Sequence, residues 1–124
     1  MAKVTVPDTP SRVANETRGT TVATTPATAT SFLSRGRGLM FRSAFLPGEA
    51  LIINPCSSIH MFFMRFPIDV LYMDSEHNVV RAQSSIKPWR IGPLHTKHAK
   101  YVIELPAGTI SASGTQVGDK LLIT

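Results

Sequence analysis

The apolar runs of this chain are short, and each stops at a proline, a glycine or a turn-forming polar residue. ALIINP (50–55), IDVLYMD (68–74), VVRAQ (79–83), AKYVIELP (99–106) and KLLIT (120–124) are the main ones. They are rich in β-branched and aromatic residues, and none reaches the ten to twelve residues of an ordinary buried helix, so they read as strands. Nine prolines and eight glycines in 124 residues supply the punctuation. RVANETRGTTVAT (12–24) reads as a hairpin turning at Thr17–Gly19, and SEHN (75–78) as the turn joining IDVLYMD to VVRAQ. FLPGE (45–49) is a turn, KPWRIGP (87–93) a loop, and AGTISASGTQVGD (107–119) irregular chain with one helical turn. IHMFFM (59–64) reads as a strand or a tight loop. In TTPATATSFLSRGRG (24–38), Thr25 can cap a helix, Pro26 suits its first turn and Gly36 or Gly38 can stop it, so a short helix is expected near 26–34.

Six or seven short strands and one helix predict a mainly β fold, α+β at the margin. The expected form is a small curled antiparallel sheet or a partly closed β-barrel with one short helix, not a βαβ fold. The length fits a single domain, expected over 11–124, and residues 1–10, with Pro7 and Pro10, read as a loose leader. The hydrophobic share, 43%, is enough for a core. A lone cysteine excludes an internal disulfide and a multi-cysteine zinc site. The first residues lack an apolar signal-peptide core, and Arg65, Pro67 and Asp69 interrupt the longest apolar stretch, so neither a secretory leader nor a membrane span is expected, and the cytoplasm is the expected location. The net charge is +5, with cations read as spread along the chain. That balance permits an anionic partner, but no stacked aromatic pattern or nucleic-acid motif accompanies it, which argues against nucleic acid.

RGLMFR (37–42), CSSIHMFFMRFPIDVLYMD (56–74), KPWR (87–90), ELPAGT (104–109), GDKL (118–121) and the opening NETRGTTVAT (15–24) together resemble the small bacterial and archaeal proteins grouped as domain of unknown function 192. The resemblance runs from about residue 13 to the end. Met61 departs from it, since similar proteins often carry Thr after the histidine. It implies a compact, mainly β domain with a short helix and carries no agreed activity.

The densest chemistry lies in 55–74. Cys56, His60 and Met64 recur every four residues, and each type can bind a soft metal. Extended chain would set them ~13 Å apart, which forbids a shared ion and a Cys–His catalytic dyad alike, so buried soft side chains are the plainer reading and no metal or cofactor is expected. His77 reads as solvated, and His95 and His98 lie beside Lys97 and Lys100. Arg65 and Asp69 are charges in apolar sequence and need partners. Arg90, Arg42 and Lys87 are candidates for Asp69, and Glu104 and Asp119 for Arg65. Ion pairs holding the loops are the structural reading. The functional reading is a site of Arg42, Arg65, Asp69, Trp89, Arg90 and Glu104, in which guanidinium groups grip an anion beside the Trp89 wall.

The sequence therefore favours a non-catalytic module that binds a small anionic ligand or a protein partner through the loops at Arg65–Asp69 and Trp89–Arg90. The alternatives are a hydrolase or transferase acting through Asp69 or Glu104 with an arginine clamp, and a soft-metal carrier. Whether the chain is an enzyme stays open at this stage. It has no phosphate-cradling glycine loop, G-x-S-x-G or H-E-x-x-H, and Asp119 reads as a turn-capping residue rather than an acid.

Overall fold

In the computed structural model, residues 4–29, 39–40, 42–93 and 95–124 are described. Among these residues, eight strands and one short helix follow in order: β1 Val13–Asn15, β2 Thr20–Ala23, β3 Thr25–Ala29, β4 Glu49–Ile53, β5 Ile68–Met73, β6 Val79–Ile86, β7 Tyr101–Pro106, α1 Thr109–Ser113 and β8 Leu121–Ile123. They form a five-stranded sheet, β3-β4-β7-β5-β6, and a three-stranded sheet, β2-β1-β8. The fold is mainly β, as expected. It is not a closed barrel: the chain passes from one sheet to the other at Thr24, and an isolated bridge between Asn78 and Lys120 ties them again.

Alternation along the two central strands divides the core. In β5, Leu71 and Met73 face one side while Ile68, Val70 and Tyr72 face the other; in β7, Tyr101, Ile103 and Leu105 oppose Val102. Every residue of both strands is buried, as in a sheet covered on both faces. The first face packs on β1, β2, β8 and α1 through Val13, Val22, Leu121 and Ile110. The second is roofed by loops, which contribute Leu39, Ile59, Met61 and Met64.

Two expectations change. The helix expected near 26–34 is replaced over its first residues by strand β3, which runs parallel to β4 with Pro26 level with Ala50, so the sheet is mixed rather than antiparallel. Thr25 does not cap; its N–H and hydroxyl both donate to the Gly48 carbonyl. Pro26 is tolerated because β3 is an edge strand. The remainder of that expected helix, 30–34, lies outside the described residues. The helical turn read within 107–119 is α1. Residues 4–7 are also not loose: Val4 and Val6 pack on the first core, Asn54 Nδ2 donates to the Val4 carbonyl at 2.7 Å, and Thr28 Oγ1 to that of Pro7 at 2.8 Å. Alternating valines in the leader are sufficient anchors.

Of the two forms expected for residues 59–64, strand or tight loop, the structure has the tight loop, so the extended spacing assumed for Cys56, His60 and Met64 does not hold. The Met64 N–H closes a turn on the Met61 carbonyl at 3.3 Å, with Phe63 at φ 60°.

Candidate functional site

Two loops cover the second core and zip together. Gly92 N–H donates to the Ile59 carbonyl at 3.0 Å, Met61 N–H to that of Arg90 at 2.7 Å, and Trp89 N–H to that of Met61 at 2.7 Å. His60 and Ile91 form a bridge between them. Gly92 is required at this seam, because a Cβ there would lie 2.9 Å from Ile59 Cγ1 and 3.2 Å from the Tyr72 hydroxyl. Met61 is wholly buried and serves as a core anchor.

The zipper turns large apolar side chains outward. Phe62, Phe63, Trp89 and Ile91 are 38%, 46%, 58% and 60% exposed. The Trp89 ring meets Phe63 edge-on at 4.9 Å and Phe62 at 6.1 Å. Phe63 and Trp89 both hold left-handed backbone, at φ 60° and 65°. For bulky residues this conformation is disfavoured by roughly 1–2 kcal/mol each. The hydrogen bonds of the zipper hold Phe63 and Trp89 in this conformation and bring their rings into contact.

Arg65, Lys87 and Arg90 stand exposed around this cluster, as does His60. Across residues 55–68 and 84–100 there are five Lys or Arg and no Asp or Glu, so the remaining chain is balanced and the net +5 is carried by these two segments. Reading the cations as scattered missed this. The signal was the absence of acids from two particular loops, which matters only once both are known to cover one face.

The other candidate residues separate. Asp69, fully buried, pairs with none of Arg90, Arg42 or Lys87. It accepts backbone N–H bonds from Ser85 at 2.8 Å, Gly108 at 3.1 Å and Ile110 at 2.9 Å. Arg42 is taken by Glu49 at 3.0 Å and lies 5.6 Å from the Phe45 ring centre. The Leu46 N–H first, and then Arg42, hold the Glu49 carboxyl below its usual range. Arg65 pairs with neither Glu104 nor Asp119. Asp119 instead receives Arg18 Nε, Asn15 Nδ2 and the Gln116 N–H at 3.0, 3.0 and 2.9 Å; the Arg18 hydrogen bond leads in holding its pKa at about 2.

Glu104 stands level with Leu51 and Val70, on the loop-covered face, 5% exposed, and no hydrogen-bond donor among the described residues reaches its carboxylate. Burial raises its pKa to about 7. Nearby Tyr72 donates to Gln83 Oε1 at 2.7 Å, and burial pushes its phenol upward. Among the described residues no arginine pairs with Asp69 or Glu104, so the expected clamp is not assembled from them.

The soft residues lie on loop rather than on the extended chain expected, and two of them make local hydrogen bonds. Cys56 Sγ bonds the Ser58 carbonyl at 2.8 Å, whereas His60 Nδ1 accepts the Phe62 N–H at 3.2 Å. Among the described residues no three His, Cys, Asp or Glu side chains gather as a metal site. His77, expected in solvent, is partly buried with Nδ1 2.6 Å from the Tyr101 hydroxyl, and exposed His95 lies 3.2 Å from Ser57 Oγ. Among the described residues no helix is long and apolar enough to cross a membrane.

Fold and site together define a small mixed-sheet β domain that displays an aromatic cluster inside a cationic loop pair. Residues 13–123 match domain of unknown function 192, described as "Uncharacterized ACR". The chain belongs to this family. It is 43% identical over 99 residues to a UPF0127 protein of Pyrococcus abyssi, covering 75% of this chain and 80% of that protein. A UPF0127 protein of Pyrococcus furiosus is 37% identical over 113 residues, covering 86% and 93%. A crystal structure from Sinorhizobium meliloti, of a protein whose assignment as a transcription regulator is provisional, superposes with TM-score 0.77 at 24% identity over 90% of each chain. One from Novosphingobium aromaticivorans, of a protein of unknown function, gives 0.77 at 20% identity over 98% of this chain and 93% of that one. These two likenesses speak for the fold alone.

Proposed function

We propose that this protein is a non-catalytic binding module whose zipped loops engage an anionic partner. Phe62, Phe63, Trp89 and Ile91 supply apolar contact, and Arg65, Lys87 and Arg90 supply charge. The observation that carries the reading is the pair Phe63 and Trp89, both exposed and both held in left-handed backbone at 4.9 Å from one another. Strain retained at aromatic residues that still expose 46% and 58% of their surface points to use by a partner. Arg65, Trp89 and Arg90 stay in the proposed site, while Arg42, Asp69 and Glu104 leave it. The charge pattern favours an anion and the exposed setting favours an extended partner surface, because small ligands are usually held in concave pockets.

Trp89 is the only tryptophan, so its emission reports on this site alone. Titration with inorganic polyphosphate, poly-glutamate, a single-stranded oligonucleotide and anionic vesicles at low ionic strength is expected to shift that emission with at least one of them. The shift should weaken as salt rises, as screening requires. Silence toward all four defeats the reading.

A further inference from the structure

We propose that the partner of the aromatic and cationic loop pair is an anionic lipid surface, with the rings of Phe62, Phe63 and Trp89 and the side chain of Ile91 entering the interface and Arg65, Lys87 and Arg90 resting on the head groups. This inference rests on the binding reading above and names its partner.

Size is the first argument. From their fractional exposures the four apolar side chains present ~400 Å² in all, the scale of an ordinary functional patch. Shallow insertion of a few side chains at a head-group boundary needs no larger apolar area. Shape is the second. Clefts of 430, 250, 350 and 240 Å³ lie at Arg42–Glu49, beside Thr21–Thr24, at Phe45–Phe66–Pro106 and at Pro106–Ala112, and none is lined by Phe62, Phe63, Trp89 or Ile91. The four side chains stand exposed rather than lining any of these clefts.

Charge is the third argument. The two loop segments carry five Lys or Arg and no carboxylate, so nothing there repels a negative surface. Tryptophan and phenylalanine among lysines and arginines suit the interface between head groups and acyl chains, where a ring finds apolar contact and a cation finds phosphate. Trp89 also has an indole N–H that can stay among the head groups while its ring is buried. Attachment of this kind is peripheral and reversible: it combines a shallow apolar insertion with a charge attraction that salt weakens.

The test uses the full chain with vesicles of equal parts phosphatidylglycerol and phosphatidylcholine, and with phosphatidylcholine alone. Expected are co-sedimentation with the anionic vesicles at low ionic strength, release by added salt, a blue shift of Trp89 emission, and quenching by lipids brominated on the acyl chains. The double variant Arg65→Glu/Arg90→Glu should bind at least tenfold more weakly, given ~1 kcal/mol, about fivefold, for each basic residue near such a surface. Both side chains are exposed, and far-ultraviolet circular dichroism verifies the variant's fold. Should it not fold, the wild-type quenching and salt response decide alone. Binding without quenching overturns the proposal, and so does unchanged binding by a folded double variant. No vesicle binding, with a Trp89 response to polyphosphate, poly-glutamate or oligonucleotide, overturns the lipid assignment and leaves the binding module standing. No response to any of them removes both.

Discussion

At the scale of single residues, Asp69 shows how a charge in apolar sequence can be wholly structural. β6 carries an irregularity here: Ile68 is level with Ile86 but Val70 with Gln83, and Ser85 in the extra stretch sits at φ 52°. Its N–H, displaced from the ladder, donates to Asp69 Oδ1. Gly108, which precedes α1, has no side chain to cap the helix, and Asp69 Oδ2 accepts the Gly108 and Ile110 N–H groups in its place. One carboxylate thus secures a bulge and a helix start from a third element. Asp69→Ala leaves these N–H groups without their acceptor and is expected to cost about 4 kcal/mol in urea unfolding, with α1 losing its anchorage. A loss under about 1 kcal/mol would show that water or a local shift replaces the carboxylate. The sequence displayed Asp69 as a charge needing a partner, and that inference was sound. It pointed to arginines because side-chain types can be read along a chain, whereas a free backbone N–H exists only after a bulge and a helix start have formed.

At the scale of elements, most strands and turns were legible, and β3 and the form of the 59–64 segment were not. IDVLYMD and AKYVIELP announce β5 and β7 through β-branched and aromatic content with turn residues at their ends. The hairpin turning at Thr17–Gly19 was equally plain. β3 was hidden because Thr25–Pro26 has the chemistry of a helix start, and only its parallel pairing with β4 decides otherwise. The 59–64 segment was left between strand and tight loop for a related reason. Its phenylalanines favour strand locally, yet its backbone is fixed by bonds to 89–92, some thirty residues away. Gly92 is the element-scale test of that seam. Gly92→Ala forces a methyl to within 2.9 Å of Ile59 Cγ1 and 3.2 Å of the Ile59 carbonyl and the Tyr72 hydroxyl. Overpacking of this type is expected to cost ~1–3 kcal/mol, read as a lower melting temperature. Trp89 emission should move with it as the loops part. A variant with wild-type stability and emission would mean that the loops are not held together by this contact.

At the scale of the whole molecule, two carboxyl groups set opposite limits on stability against pH. Asp119 lies between the two terminal segments of the fold, where Arg18 first and then Asn15 and the Gln116 N–H lower its pKa from 3.8 to about 2. The folded state therefore holds its proton less tightly than the unfolded chain, and the stabilisation is present above pH 3.8 and is lost as pH falls toward 2. Glu104 acts in the other sense. Burial under the loops raises its pKa from 4.5 to about 7, so the folded state keeps a proton that the unfolded chain releases. Its acid form is accommodated below pH 4.5. Stability then declines as pH rises from 4.5 to 7, and stays at the lower level above that, by on the order of 3 kcal/mol. The two limits leave a maximum near pH 4–5. Urea unfolding from pH 2 to 9 is expected to trace that asymmetric curve in the wild type. Glu104→Gln should remove the decline on the alkaline side, becoming more stable than wild type above pH 7, while Asp119→Asn should flatten the acid side. Wild-type stability that is flat or rising between pH 5 and 8 would show that the Glu104 carboxylate is solvated in solution, and that the loops over it open far enough to admit water.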